Sequence, residues 1–297
     1  MGKSNRVKAT PEQTVRVEKP KSDRAMRSKE LAFSDIDLDN WRDYDDIETD
    51  SLWLFNGRER SNGHQLDYHG NCVPQILTQL LTRYTKAGET VLDLFLGSGT
   101  TAIEAVNLGR RAIGVELKAE LAAYVEGKLD EQGKGADVQV INGSSANRVW
   151  TGKAITQALK KFKQDAAQFL FLHPPYADII RFSEDENCLS NAESTEAFLD
   201  QFEEVARLGY EKLEPGRFAS VVIGDKYAGG ELIPLGFMCM ERMNAAGFKT
   251  KSVIVKNITG NERGKGKQGN LWRYRALKGG FYIFKHEYVI VFQKPKK

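Results

Sequence analysis

The chain has 297 residues, 41% hydrophobic and 28% charged, with a formal net charge of +3. This length and balance allow one large globular domain or two small ones with a sizeable core, and they exclude a chain disordered throughout. Its three cysteines, Cys72, Cys188 and Cys239, are odd in number, far apart and without C-x-x-C spacing, which excludes a disulfide framework and a cysteine zinc site. No apolar run approaches the length of a membrane span and the N-terminus has no apolar leader core, so a cytoplasmic setting without a membrane partner is expected.

Charge is unevenly spread. Residues 1–30 are rich in Lys and Arg, whereas residues 35–50 carry Asp35, Asp37, Asp39, Asp43, Asp45, Asp46, Glu48 and Asp50. Such a segment has little apolar surface to offset the entropy of ordering, so residues 1–50 are expected to be a flexible charged segment. The basic tail is either simply solvated or a weak phosphate-contacting arm.

From residue 51 the chain reads as a folded domain. After a short apolar run at 52–55, Ile76, Leu77, Leu80 and Leu81 recur at helical spacing over 74–84. A buried strand over 89–95 breaks into Gly97-Ser98-Gly99, and a helix over 100–108 is closed by Gly109. Strand 111–116, helix 119–129 and strand 137–142 follow. The second half continues with strand 168–172, helix 195–213, strand 218–223, helix 235–246, and strands 251–256 and 288–293. The βαβαβ alternation predicts an α/β, doubly wound, mostly parallel sheet with helices on both faces; the last two strands flank a long connection, as in a hairpin with an antiparallel C-terminal strand.

The stretch Asp93-Leu94-Phe95-Leu96-Gly97-Ser98-Gly99-Thr100-Thr101 carries the first chemical signal. Glycines after a strand permit a tight turn and close approach to a ligand, and the next helix begins with unpaired N–H donors. Glu116 ends the following strand, where a carboxylate can accept from both hydroxyls of a ribose. Dinucleotide-binding folds share such a loop. Asp93, four residues before the first glycine, favours a cationic ligand such as the sulfonium amino acid of S-adenosyl-L-methionine, and would repel a pyrophosphate.

This stretch resembles the cofactor motif of the amino-group DNA methyltransferases, which form N6-methyladenine or N4-methylcytosine. The preceding His69-Gly70-Asn71-Cys72-Val73-Pro74-Gln75 resembles the family segment that packs beside the methionine moiety. The resemblance implies a Rossmann-like class I methyltransferase over 51–297, with a cofactor half at 69–145 and a catalytic half at 165–297. It implies S-adenosyl-L-methionine held by Asn71, Asp93, Phe95, Gly97, Ser98, Gly99, Thr100, Thr101 and Glu116. In Asn142-Gly143-Ser144-Ser145, Ser144 or Ser145 stands where the family often has an Asp beside the adenine ring.

His173-Pro174-Pro175-Tyr176, directly after a strand, resembles the family's Asp/Asn/Ser-Pro-Pro-Tyr catalytic motif. An exocyclic amine is a poor nucleophile because its lone pair is delocalised into the ring. In the family, the first side chain and the first proline's carbonyl accept its two N–H groups and localise that lone pair. The tyrosine stacks on a base rotated out of the duplex. Here His173 replaces the usual residue. A neutral imidazole still offers one acceptor nitrogen, an imidazolium none, so activity is expected to fall below neutral pH.

Other polar positions carry two readings each. Val222-Ile223-Gly224-Asp225-Lys226 is either a solvated loop or part of the base pocket, and His286 in His286-Glu287-Tyr288 is a packing residue before it is a catalyst. Residues 257–281 interleave glycines, cations and aromatics, and are expected to form a mobile loop that contacts DNA through Arg263, Lys265, Lys267, Trp272 and Arg273. The expected partner is DNA, alongside a homodimer or a recognition or restriction partner. Related amine chemistry on RNA or protein, and a catalytically silent DNA-binding relative, are the alternatives.

Overall fold

The computed structural model describes residues 31–61, 64, 70–176, 188–258 and 269–296, without the side chains of residues 269 and 270. In chain order the elements are β1 (Leu52–Trp53), α1 (Pro74–Tyr84), β2 (Thr90–Asp93), α2 (Thr100–Asn107), β3 (Arg111–Glu116), α3 (Ala119–Glu131), β4 (Val138–Asn142), α4 (Arg148–Lys161) and β5 (Ala167–Leu172). They continue with α5 (Thr195–Lys212), β6 (Leu213–Ile223), β7 (Lys226–Ala228), β8 (Glu231–Ile233), α6 (Leu235–Ala245), β9 (Lys249–Asn257), α7 (Gly269–Gly279) and β10 (His286–Gln293).

Among the described residues, one eight-stranded sheet has the order β1-β9-β10-β6-β5-β2-β3-β4, and β7 and β8 form a separate hairpin. β10 runs antiparallel to both β6 and β9, while the remaining sheet pairs are parallel. This is the Rossmann-like, doubly wound, mostly parallel arrangement with an antiparallel C-terminal strand that the sequence leads one to expect. The chain steps outward from β2 through β3 to β4, then returns to lay β5 on the other side of β2. That reversal opens a crevice at the C-terminal ends of β2 and β5, the place where open α/β sheets bind ligands.

The strands are buried on both faces, so successive residues feed two cores. On β5, Phe169 and Phe171 join the layer under α1, α2 and α3, while Leu170 and Leu172 join the layer under α4, α5 and α6. β10 divides the same way, with Val289 and Val291 on the first face and Ile290 and Phe292 on the second. This period of two is what a pleated strand imposes. α5 is capped by the Ser194 hydroxyl, which accepts from Ala197 N at 3.1 Å, and it buries Phe198, Phe202, Val205 and Ala206 on one stripe. Each such large apolar side chain stabilises the fold by roughly 1.5–3 kcal/mol.

Three differences from the sequence reading follow from tertiary packing. Helix α4 was not anticipated; its buried stripe is short (Ile155, Ala158, Leu159), while Val149 and Trp150 face solvent and blur the periodicity. Residues 269–279, expected within a mobile loop, are helical. The segment expected to be flexible up to residue 50 is anchored from residue 32 onward. Arg217 donates to the Ala32 carbonyl at 3.0 Å and Phe33 packs on Phe218 and Tyr84. The buried Ser34 donates to the Thr82 carbonyl at 3.1 Å, and Asp35 meets Arg110 at 3.3 Å. An acidic composition did not reveal that these few residues find partners on the domain. Residues 1–30 lie outside the described residues.

Candidate active site

Asp93 at the end of β2 pairs in register with Phe171 on β5. The glycine loop and the His173 turn therefore leave adjacent strands at the same edge of the sheet.

Asp93 is 3% exposed. Its carboxylate accepts the Phe95 N–H at 2.8 Å and a hydrogen bond from the Thr101 side chain. Burial, with the nearby Glu116 charge, pushes its pKa up to about 7 in spite of those donors. Gly97 and Gly99 take the left-handed conformation, at φ +56 and +85. A Cβ on Gly99 would lie 2.8 Å from Val125 Cγ1, so only glycine lets α2 start this close to α3. Glu116, buried at the end of β3, accepts from Gly97 N and from Lys118 N, both at 2.9 Å. Burial raises its pKa, and those two N–H groups oppose the rise.

The other expected cofactor residues divide into those near the loop and those turned elsewhere. Ser98 Oγ donates to Asn71 Oδ1, joining the loop to the segment before α1. Thr100 and Thr101 are buried in the first turn of α2, and Phe95 packs against the α4–α6 core layer. Ser144 is half-buried and its carbonyl accepts from Asn147 N and the Thr151 hydroxyl. Ser145 donates to the Leu94 carbonyl, so its hydroxyl braces the loop from behind. His69 lies outside the described residues.

His173, Pro174, Pro175 and Tyr176 follow the last residue of β5. Tyr176 donates its phenolic proton to Glu287 Oε2 at 2.8 Å, and its oxygen lies 3.5 Å from His173 Nε2. With that proton committed, the phenol oxygen can only accept from His173. This favours the tautomer with a proton on Nε2 and the lone pair on Nδ1. The two rings meet edge-on at 5.9 Å. Gly224 makes room for the phenol, since a Cβ there would sit 3.1 Å from Tyr176 Cε2.

Burial holds the His173 imidazole below its ordinary pKa; Glu287 opposes this, while Lys256 and Arg58 add to it. The neutral, accepting form is thus favoured at neutral pH, and the acid limb expected for an ordinary imidazole is displaced toward lower pH.

The sequence reading missed three residues here. Lys256, 4% exposed, donates to Glu287 Oε1 at 2.9 Å across the β9–β10 register. Arg58 donates through Nη1 to the carbonyls of Asn71 and Cys72, while its buried Nε and Nη2 have no hydrogen-bond partner among the described residues. Glu287 was visible only as a neighbour of His286. A lysine closing the apolar run Val253-Ile254-Val255 was the one available hint. The buried Cys72 thiol lies where the two halves meet: burial first, then Glu287 and Asp93, push its pKa up, against Lys256 and Arg58.

His286 Nε2 lies 3.4 Å from the Tyr288 hydroxyl, which donates to Asp225 Oδ2 at 3.0 Å; Asp225 Oδ1 accepts from Gly236 N at 3.0 Å. His286 and Asp225 thus join one hydrogen-bonded group linking β10 to α6. Trp272 and Arg273 lie on α7, inside the connection that leaves β9 at Asn257 and re-enters β10 at His286, its register partner. Arg273 is exposed, and the Arg275 guanidinium lies 5.3 Å from the Trp272 ring centre. Arg263, Lys265 and Lys267 lie outside the described residues.

Comparison with known proteins bears on this arrangement. Residues 3–126 match the family of N6 and N4 methyltransferases described as DNA methylase. This match covers less than half of the chain, and within that stretch it agrees with the resemblance to amino-group DNA methyltransferases carried by the glycine loop. A second family, conserved hypothetical protein 95, matches residues 73–200. Type II methyltransferase M.MthZI of Methanothermobacter thermautotrophicus is 32% identical over 114 residues, covering 38% of this chain and 30% of its own length. Type II methyltransferase M.MjaII of Methanocaldococcus jannaschii is 31% identical over 64 residues, 22% of this chain and 12% of its own. The chain therefore spans less than a third of either relative. Among solved structures, TrmN from Thermus thermophilus superposes with a TM-score of 0.49 at 16% identity, over 76% of this chain and 50% of that one.

S-adenosyl-L-methionine is the family's cofactor, and the residues present fit it. A buried carboxylate with a raised pKa suits a cationic ligand, and the orphaned guanidinium donors of Arg58 suit a carboxylate. Glu116 suits a pair of hydroxyls, and the glycine loop leaves space that a side chain would fill.

Proposed function

We propose that the protein methylates an exocyclic amino group of DNA, adenine N6 or cytosine N4, at the His173-Pro174-Pro175-Tyr176 turn. The observation that carries this reading is the register of Asp93 with Phe171, which sets the cofactor loop and the turn on neighbouring strands. The cofactor supplies an electrophilic methyl group on a sulfonium. The chain's own residues do the rest. Asp93 faces positive charge, Glu116 accepts from hydroxyls, and Arg58 meets the carboxylate.

At the turn, the His173 imidazole and the Pro174 carbonyl accept the two N–H groups of the amine and localise its lone pair. The amine must shed a proton once methylated, and the neutral imidazole is placed to take it. Two prolines stiffen the turn and aim the carbonyl. A base reaches such a recessed turn only out of the stack, which fits a flipped nucleotide. The Tyr176 ring would form one wall of its pocket, held there by Glu287. Arg273 and Trp272 on α7, with Arg263, Lys265 and Lys267, would meet the surrounding phosphates and bases, and Ser144 would lie beside the cofactor's adenine.

The test is a methyl-transfer assay with labelled S-adenosyl-L-methionine on DNA, RNA and protein, followed by mass spectrometry of the nucleosides. Label in DNA as N6-methyladenine or N4-methylcytosine, lost in His173→Ala, is expected. Label confined to RNA or protein would overturn the DNA assignment. Methylated DNA from His173→Ala at the wild-type rate would remove His173 from the chemistry.

A further inference from the structure

Beyond the loop and the turn, the site contains a charge pair of which the reaction above uses only Glu287, as the anchor of Tyr176. Lys256 on β9 and Glu287 on β10 face each other in register, and both are largely removed from water. A pair of charges held there costs desolvation, and apolar residues of similar size would fill the space as well. Its carboxylate has two oxygens with different tasks: Oε1 accepts from Lys256 Nζ at 2.9 Å and Oε2 accepts from Tyr176 at 2.8 Å. Tyr176 in turn lies 3.5 Å from His173.

We propose that Lys256 and Glu287 are positioning residues: Glu287 anchors Tyr176 and raises the proton affinity of His173, and Lys256 limits that rise. This rests on His173 being the acceptor for the amine. Burial alone makes the imidazole a weaker base, one that accepts a hydrogen bond but holds a proton less firmly. A carboxylate near the ring returns part of that basicity, and a lysine on its far side limits the return. Among the described residues, the other charged or titratable groups acting on this corner are Arg58 and Cys72 from the segment before α1, and Asp93 from β2. Arg58 pushes His173 in the same direction as Lys256, so Glu287 is the carboxylate that opposes both cations at the ring.

The proposal makes a signed prediction that a packing role would not. Glu287→Gln should lower the titration midpoint of His173, and Lys256→Met should raise it, each by on the order of one pH unit for a charge a few ångströms away. The double variant, which removes both charges of the pair, should fall between them and serves where either single variant does not fold. The chain has four histidines, so ring resonances followed by NMR across pH, with His173→Ala to assign the signal, give the midpoint without any turnover.

Shifts in opposite directions support the proposal; shifts in the same direction, or none, overturn it. The acid limb of kcat/KM for methyl transfer is then measured on the same variants. A limb that tracks the NMR midpoint supports His173 as acceptor. Midpoints that move while the limb stays put would leave the charge coupling intact and overturn the acceptor role instead.

Discussion

The carboxylate of Glu116 accepts the backbone N–H of Gly97 at 2.9 Å, so the residue proposed to bind a ribose also closes the glycine loop proposed to hold the methionine end. A second acceptor contact, to Lys118 N at 2.9 Å, fixes the turn after β3. Glu116→Ala should therefore weaken the cofactor through both effects. A hydrogen bond to a charged group is worth about 1.5–3 kcal/mol. A loss of tenfold or more in affinity is expected by calorimetry, with Glu116→Gln intermediate. Equal affinity in Glu116→Ala would separate the residue from the cofactor.

The proposed role of Asp93 predicts a cofactor affinity that depends on pH. Its folded pKa, about 7, is raised above the ordinary carboxylate value near 3.8. The free protein therefore prefers the protonated form. Stability contributed by that preference is full below the ordinary pKa and is lost as pH rises through about 7. A cationic ligand favours the ionised form, so affinity should rise about tenfold from pH 6 to pH 8 by linkage. Asp93→Asn should flatten that rise, which a pair of calorimetric pH series would show; parallel curves would count against Asp93 as the partner of positive charge.

Glu104 on α2 joins two distant segments. His64 Nε2 lies 2.8 Å from Oε1, and the Thr78 hydroxyl donates to Oε2 at 2.7 Å. Burial raises the Glu104 pKa, but these partners outweigh it and the net shift is downward. The stabilisation is present above the ordinary carboxylate pKa and disappears as pH falls through the lowered folded value. Glu104→Ala should destabilise the fold by about 3 kcal/mol at pH 7, because a buried imidazole and hydroxyl lose their partner. Chemical denaturation at pH 7 and at pH 3 measures it, and a difference that does not shrink at pH 3 would contradict the account.

Gly99→Ala should cost about 1–3 kcal/mol and reduce cofactor binding. It meets both an unfavourable φ of +85 and Val125 Cγ1 at 2.8 Å. Adding Val125→Ala removes the clash and leaves the dihedral strain. The double variant should recover binding only in part, as read by thermal shift with and without cofactor. Full recovery would assign the whole effect to Val125.

DNA binding through α7 and the preceding segment should depend steeply on salt. Replacing Arg263, Lys265, Lys267 and Arg273 with alanine should lower the slope of log K against log salt by about 0.9 for each phosphate that is no longer neutralised. Fluorescence anisotropy on duplex DNA gives the slope, and an unchanged value would take this region out of the interface.

The features legible in the sequence were those set by near neighbours along the chain. The glycine loop after β2 and the Pro-Pro turn after β5 need only local backbone chemistry, and the alternation of strands and helices follows from hydrophobic periodicity. Even the antiparallel last strand was readable, because β9 and β10 flank one connection. Helix α4 was within reach and escaped because two exposed apolar residues, Val149 and Trp150, interrupt its pattern.

What only the tertiary structure decided is which residues separated by long stretches of chain share one buried space. Lys256 meets Glu287 because of strand register, and Arg58 reaches the carbonyl of Cys72, 14 residues further along the chain. His64 finds Glu104, and Ser34 finds Thr82, by docking of segments that have no periodicity of their own. Sequence patterns report how each element divides between water and core. They do not report which elements end up adjacent, and the electrostatics of a buried site depend on adjacency: a charge acts on whatever lies within a few ångströms of it, however far away in the chain.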